Sequence, residues 1–134
     1  MSHVPTDNMA KAVVLSSRAG YLLAVIPASR RVNIDNVGRV IDQPVALATE
    51  EELAPLFPDC EPGAIPPIGS AYGLRTVVED TLEMNDDIYF EAGDHRTLVH
   101  ITGKDFCRLM RTVSHGRICL PASEDDDGVA YFGA

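Results

Sequence analysis

The chain contains no tryptophan and only three cysteines in 134 residues. Cys60, Cys107 and Cys119 are odd in number and far apart. That pattern suits free thiols in a reducing compartment better than a disulfide framework, so a cytoplasmic location is expected. No apolar run approaches the ~20 residues of a membrane helix. The opening MSHVPTDNMAK lacks the basic stretch and apolar core of a secretory signal. Catalytic signatures are also scarce. The absence of G-x-S-x-G argues against an α/β-hydrolase serine. The absence of G-x-G-x-x-G and of G-x-x-x-x-G-K-[ST] argues against a nucleotide phosphate loop. There is no C-x-x-C. His95 and His100 are five apart and face opposite sides of an extended strand, a poor arrangement for one metal. Neither a metal nor a cofactor is expected.

Positive charge is short as well: 11 Lys and Arg stand against 20 Asp and Glu, for a net charge of −9. The distribution is uneven. Residues 1–44 carry five bases and three acids, and residues 96–123 carry five bases and one acid. Residues 45–95 carry one base and twelve acids. A long nucleic-acid footprint is excluded by this balance, whereas a grip on one or two phosphates is not. The length suits a single domain. We expect it over residues 1–123, with only a short segment ahead of its first strand. An acidic, flexible tail is expected over residues 124–134, where Asp125–Asp127 read as solvated charge rather than a cation site.

What is present reads as a mixed sheet with helices. AKAVVL (Ala10–Leu15) and YLLAVI (Tyr21–Ile26) are unbroken apolar runs, a hairpin at the centre of a sheet. Asn33 is a fair N-cap for a helix to Ile41, and Pro44–Ala48 is a short strand. Thr49 with Glu52 forms a capping box for a helix ending before Pro58. Leu74–Val78, Asp87–Glu91 and Arg96–Thr102 are strand candidates, the last two joined through a Gly93-Asp94 turn. Thr102 caps a helix over Lys104–Val113, with Phe106, Leu109, Met110 and Val113 inward and Gly116 as its stop signal. The pattern predicts an α+β domain with a mixed, partly closed β-sheet or barrel and flanking helices.

Three features could carry chemistry. Lys11 lies inside an apolar run, which is costly unless the amine reaches a cleft or a partner; a strand-edge lysine reaching water is the alternative. The stretch CEPGAIPPIG, Cys60–Gly69, is stiff and apolar. Its backbone groups around Gly63 and the Pro66-Pro67 pair can hold a ligand, or the stretch can merely cover the sheet end. His95, in GDHR, can titrate or donate a hydrogen bond, or be an ordinary turn histidine.

In three segments the sequence resembles the YbaK/EbsC family of aminoacyl-tRNA deacylases, related to the editing domain of bacterial prolyl-tRNA synthetases. They are AKAVVL with GYLLAVIPASRRVNI, the loop EPGAIPPIG with its G-x-x-x-P spacing from Gly63 to Pro67, and YFEAGDHRTLVHITGKDFCRLM. Together the likeness spans residues 3–118. It implies a hydrolase acting in trans on the ester of a mischarged tRNA, in translation proofreading. It implies Lys11, Gly63 and His95 as catalytic residues: Lys11 holding the tRNA 3′ end, the Gly63 backbone placing ester and water, His95 placing the aminoacyl group. Ala64, Ile65, Pro66, Pro67 and Gly69 would line the substrate. The implied partners are the acceptor end of the mischarged tRNA and a synthetase, with no membrane. A non-catalytic module binding an aminoacyl-nucleotide, a tRNA end or a protein is the alternative. A hydrolase of other small esters is a third.

Overall fold

A computed structural model describes residues 5–61 and 64–121. The expected acidic tail and Gly63 lie outside the described residues. In chain order the strands are β1 (Ala10–Ser17), β2 (Gly20–Pro27), β3 (Val45–Leu47), β4 (Arg75–Glu79), β5 (Asp87–Glu91), β6 (Leu98–Thr102) and β7 (Ser114–Gly116). The helices are α1 (Ile34–Ile41), α2 (Glu50–Leu56) and α3 (Gly103–Leu109). The domain is α+β. Its five-stranded mixed sheet runs β3-β1-β2-β4-β7 and is open rather than closed into a barrel; β5 and β6 form a separate antiparallel pair.

The β1–β2 hairpin lies inside the sheet, as its unbroken apolar runs require. Local caps set the helices. The Asn33 side chain accepts from Asn36 N at 3.1 Å, starting α1. Thr49 Oγ1 accepts from Glu52 N at 3.2 Å while Glu52 Oε1 accepts from Thr49 N at 2.9 Å, the reciprocal pair of a capping box on α2. These bonds, with Tyr21 Oη donating to Glu52 at 2.5 Å, hold the Glu52 carboxyl below its usual range. Thr102 Oγ1 accepts from Asp105 N at 3.1 Å and starts α3.

Each sheet face has its own cover. Val13, Leu15, Leu22, Ala24, Ile26 and Val77 pack on one face against α1 and Ile118. The opposite face carries two clusters. Ala12, Val14 and Leu23 meet α2 and Ile65, while Ala10, Val25 and Val78 meet the β5–β6 pair and α3. Glu79, 2% exposed at the end of β4, is a buried carboxylate fully supplied with donors. It accepts from Ile118 N (2.8 Å), Cys119 N (3.1 Å) and Thr81 N (3.1 Å).

Two expectations change here. α3 stops at Leu109, and Leu109 is 46% exposed instead of inward. Gly116 ends no helix. It lies in β7, where a Cβ would stand 2.7 Å from Val40 Cγ2.

Candidate active site

The loop of Cys60–Gly69 and the turn after β5 are joined through one glycine. Glu61 N donates to Gly93 O at 2.7 Å, and Gly93 N donates to Ala64 O at 2.8 Å. Ala64 N donates to Glu61 O at 3.0 Å, closing the stitch. Gly93 holds φ at +95°, a conformation that glycine tolerates and side chains rarely adopt. Its neighbour His95 is tied in turn. The His95 N–H donates to Glu61 Oε1 at 3.0 Å, and its ring Nδ1 lies 3.0 Å from Glu91 Oε2. A carboxylate only accepts, so a proton stands on Nδ1 and the ring is oriented by Glu91, with its Nε2 edge turned away from that carboxylate.

The turn has its own clamp. Asp94 accepts from Thr97 N (2.6 Å) and Arg96 N (2.9 Å), and the Thr97 bond is foremost in pulling its carboxyl below the usual range. A lowered pKa means that this support is complete above the ordinary carboxylate range of about 3.9 and fades as pH falls through the lowered value. The Thr97 amide resonance should therefore titrate with a midpoint below that range, and Asp94→Asn should abolish the titration.

Glu61 is exposed, but from Ala64 to Gly69 the loop is largely dry. Ala64 is 1% exposed and Ile65 6%; Pro67 and Gly69 are buried, and Pro66 is partly so. Gly69 has no room for a side chain, since a Cβ there would stand 2.0 Å from Thr76 Oγ1. Beside the loop, a cleft of about 280 Å³ opens between α2 and Cys60, Glu61 and Ile65, floored by Leu53 and Phe57 with Glu50 at its edge. Tyr72 braces it, meeting Phe57 edge-on at a centroid distance of 4.8 Å and Cys60 Sγ at 3.3 Å. Burial, then the Cys60 contact, pushes the Tyr72 phenol up to about 12.

Lys11 arrives by another route. It pairs with Ile26 and is rooted on the same face as Val13 and Leu15, whereas Ile65 packs with Ala12 and Val14 on the opposite face. The lysine is partly buried. It stands where β1 is not paired to β3, because that ladder covers only Leu15–Ser17. There β1 comes beside β5 through a parallel Met9–Tyr89 bridge. Two residues on from that bridge are Lys11 on β1 and Glu91 on β5, the residue that holds His95. The structure thus links Ala64 to the His95 turn through Gly93 and Glu61, while Lys11 is rooted on the other face of the sheet from Ile65.

Sequence reasoning missed Glu61 and Glu91, and read Gly93 only as a turn residue. Their roles depend on a backbone stitch between segments thirty residues apart, and nothing in the local pattern marks it. It also missed a group of metal-capable side chains, Asp80, Glu83 and His115, whose ligand atoms lie within 4.8 Å of one another.

Residues 1–109 match the family model described as the aminoacyl-tRNA editing domain. The chain belongs to this family. Solved structures share the editing-domain fold at low identity. One, assigned as a trans-editing enzyme for prolyl-tRNA synthetase, aligns with a TM-score of 0.77 at 20% identity, covering 88% of this chain and 74% of that one. A protein of Marinobacter aquaeolei VT8, assigned to signal transduction, aligns with a TM-score of 0.82 at 16% identity; 92% of this chain covers 27% of that longer one. No curated protein sequence matches the chain significantly. Among the described residues of this editing domain, no helix is long and apolar enough to cross a membrane.

Proposed function

We propose that the protein hydrolyses the ester of a mischarged aminoacyl-tRNA in trans, with the aminoacyl group held between the Cys60–Gly69 loop and the His95 turn. The observation that carries this reading is the stitch through Gly93, which fixes loop backbone, His95 and the cleft relative to one another. An aminoacyl ester is already activated, so no covalent nucleophile is needed. A positioned water and fixed donors for the developing oxyanion suffice. The backbone around Gly63 and Ala64 would place ester and water. His95, oriented by Glu91, would donate to the reacting group or steady the water. The α-ammonium of the aminoacyl group suits the carboxylate edge that Glu50 and Glu61 give the cleft. The cleft, about 280 Å³, lies at the low end of small-molecule pockets and is large enough for an aminoacyl group, whose side chain would meet Leu53, Phe57 and Ile65.

Lys11 would hold a phosphate of the tRNA 3′ end at the β1 edge, outside the reacting centre. Lys11→Ala should lower kcat/KM by about 10–100-fold, the worth of one charge-assisted contact, mainly through KM. The loss should shrink as salt rises. An unchanged KM would remove Lys11 from this role.

The function is tested with a panel of tRNAs charged with noncognate amino acids, following ester loss with and without the protein. Accelerated loss of a small aminoacyl group is the expected result. Ester decay at the spontaneous rate across the panel would overturn it, and tight binding without turnover would instead mark a binding module. Equal turnover of simple model esters would point to a general hydrolase.

A further inference from the structure

We propose that Asp80, Glu83 and His115 form a binding site for a divalent transition-metal ion of the zinc type, separate from the loop and the His95 turn. The backbone brings the three together from two segments. A 3-10 helix spans Asp80–Met84 directly after β4. With three residues per turn, positions i and i+3 eclipse, so Asp80 and Glu83 project from the same side. β7 pairs in parallel with β4, opposing His115 to Val78, two residues before Asp80. The start of that helix is pinned, because Glu79 accepts from the Thr81, Ile118 and Cys119 amides at once.

The decisive detail is the imidazole of His115. Its Nε2 lies 2.7 Å from the Met110 carbonyl oxygen, which can only accept, so Nε2 carries the proton. A ring nitrogen tied to a backbone carbonyl in this way leaves the other nitrogen oriented as a ligand, the usual support of metal-bound histidines. That other nitrogen, Nδ1, faces Glu83 Oε1 at 2.5 Å. At that distance the two atoms share a proton, which a metal ion would displace as the side chains part to take up its longer bonds. A proton would serve this pair alone and would leave the Asp80 carboxylate beside Glu83 with like charge. A metal ion serves all three, whose ligand atoms lie within 4.8 Å of one another. One imidazole and two carboxylates make a nitrogen-oxygen donor set suited to zinc and its neighbours, with a remaining position for water. The side chains of His115 and Glu83 are 35% and 18% exposed, which admits the ion.

The test titrates the full chain, stripped with chelator and dialysed, with Zn²⁺ by calorimetry and with Co²⁺ by visible absorption. Saturable binding of one ion, with a higher Tm in Zn²⁺, is expected. His115→Ala and Asp80→Asn should each weaken binding by at least 10-fold. Asp80→Asn guards against a folding defect in the histidine variant. His100→Ala removes a surface histidine paired with Asp87 and should leave binding unchanged. Absence of saturable binding, binding untouched by both His115→Ala and Asp80→Asn, or binding lost with His100→Ala would each overturn the site.

Discussion

His95→Ala should lower kcat for ester hydrolysis by about 10²–10³-fold, the loss measured when one fixed donor is removed from a developing oxyanion. A hundredfold loss corresponds to about 2.7 kcal/mol of barrier. The residue is held at two points, one on its ring and one on its backbone. Glu91 fixes Nδ1, and the Glu61 carboxylate takes the backbone N–H. The ring is 52% exposed and Glu91 23%, so truncation leaves no buried charge behind. Stability should therefore stay within about 0.5 kcal/mol. His95→Gln, which keeps an N–H donor, should recover part of the rate. A variant that loses kcat and Tm together would assign the histidine a structural role in the turn. A variant with unchanged kcat would remove it from the chemistry.

Phe106→Ala should cost about 3–5 kcal/mol of folding stability. Phe106 is fully buried where α3 meets Val78, Leu82, Ile88, Phe90 and Met110. Truncation opens a cavity under the β5–β6 pair, and α3 and the sheet cannot both collapse into it. The loss is a large share of the about 5–15 kcal/mol that a domain has. Because β5 leads directly into the Gly93 turn, the same change should loosen the stitch to Ala64 and depress activity in the folded fraction. Urea denaturation with an unchanged slope checks the first part. A cost below 1 kcal/mol would mean that the hairpin and α3 do not share one core.

The parts of the fold that could be read from the sequence are those set by short-range chemistry. The β1–β2 hairpin follows from two unbroken apolar runs around Ser16–Gly20. The N-caps at Asn33, Thr49 and Thr102 follow from side chains that reach an amide three residues on. β7 was not legible. Ser-His-Gly has no strand propensity of its own, and it becomes a strand only by pairing with β4 from more than thirty residues away. Leu109 kept the helical spacing of Phe106, but α3 ends there and the residue turns to solvent. Period-two alternation ties Lys11 to the face of Val13, yet only the tertiary structure shows that α1 covers that face and α2 the other. The Gly93 stitch was the least visible, since hydrogen bonds between backbone groups leave no residue signature beyond the glycine itself.

The location of the aminoacyl group is the claim on which the mechanism rests, and amide chemical-shift mapping tests it most directly. The ligand is an adenosine carrying alanine through a hydrolysis-resistant 3′-amide. The largest perturbations should fall on Glu61, Ala64, Gly93 and His95, with smaller ones near Lys11. Perturbations confined to α1 and the segment from Arg117 to Leu120, with the loop and turn unmoved, would contradict the account.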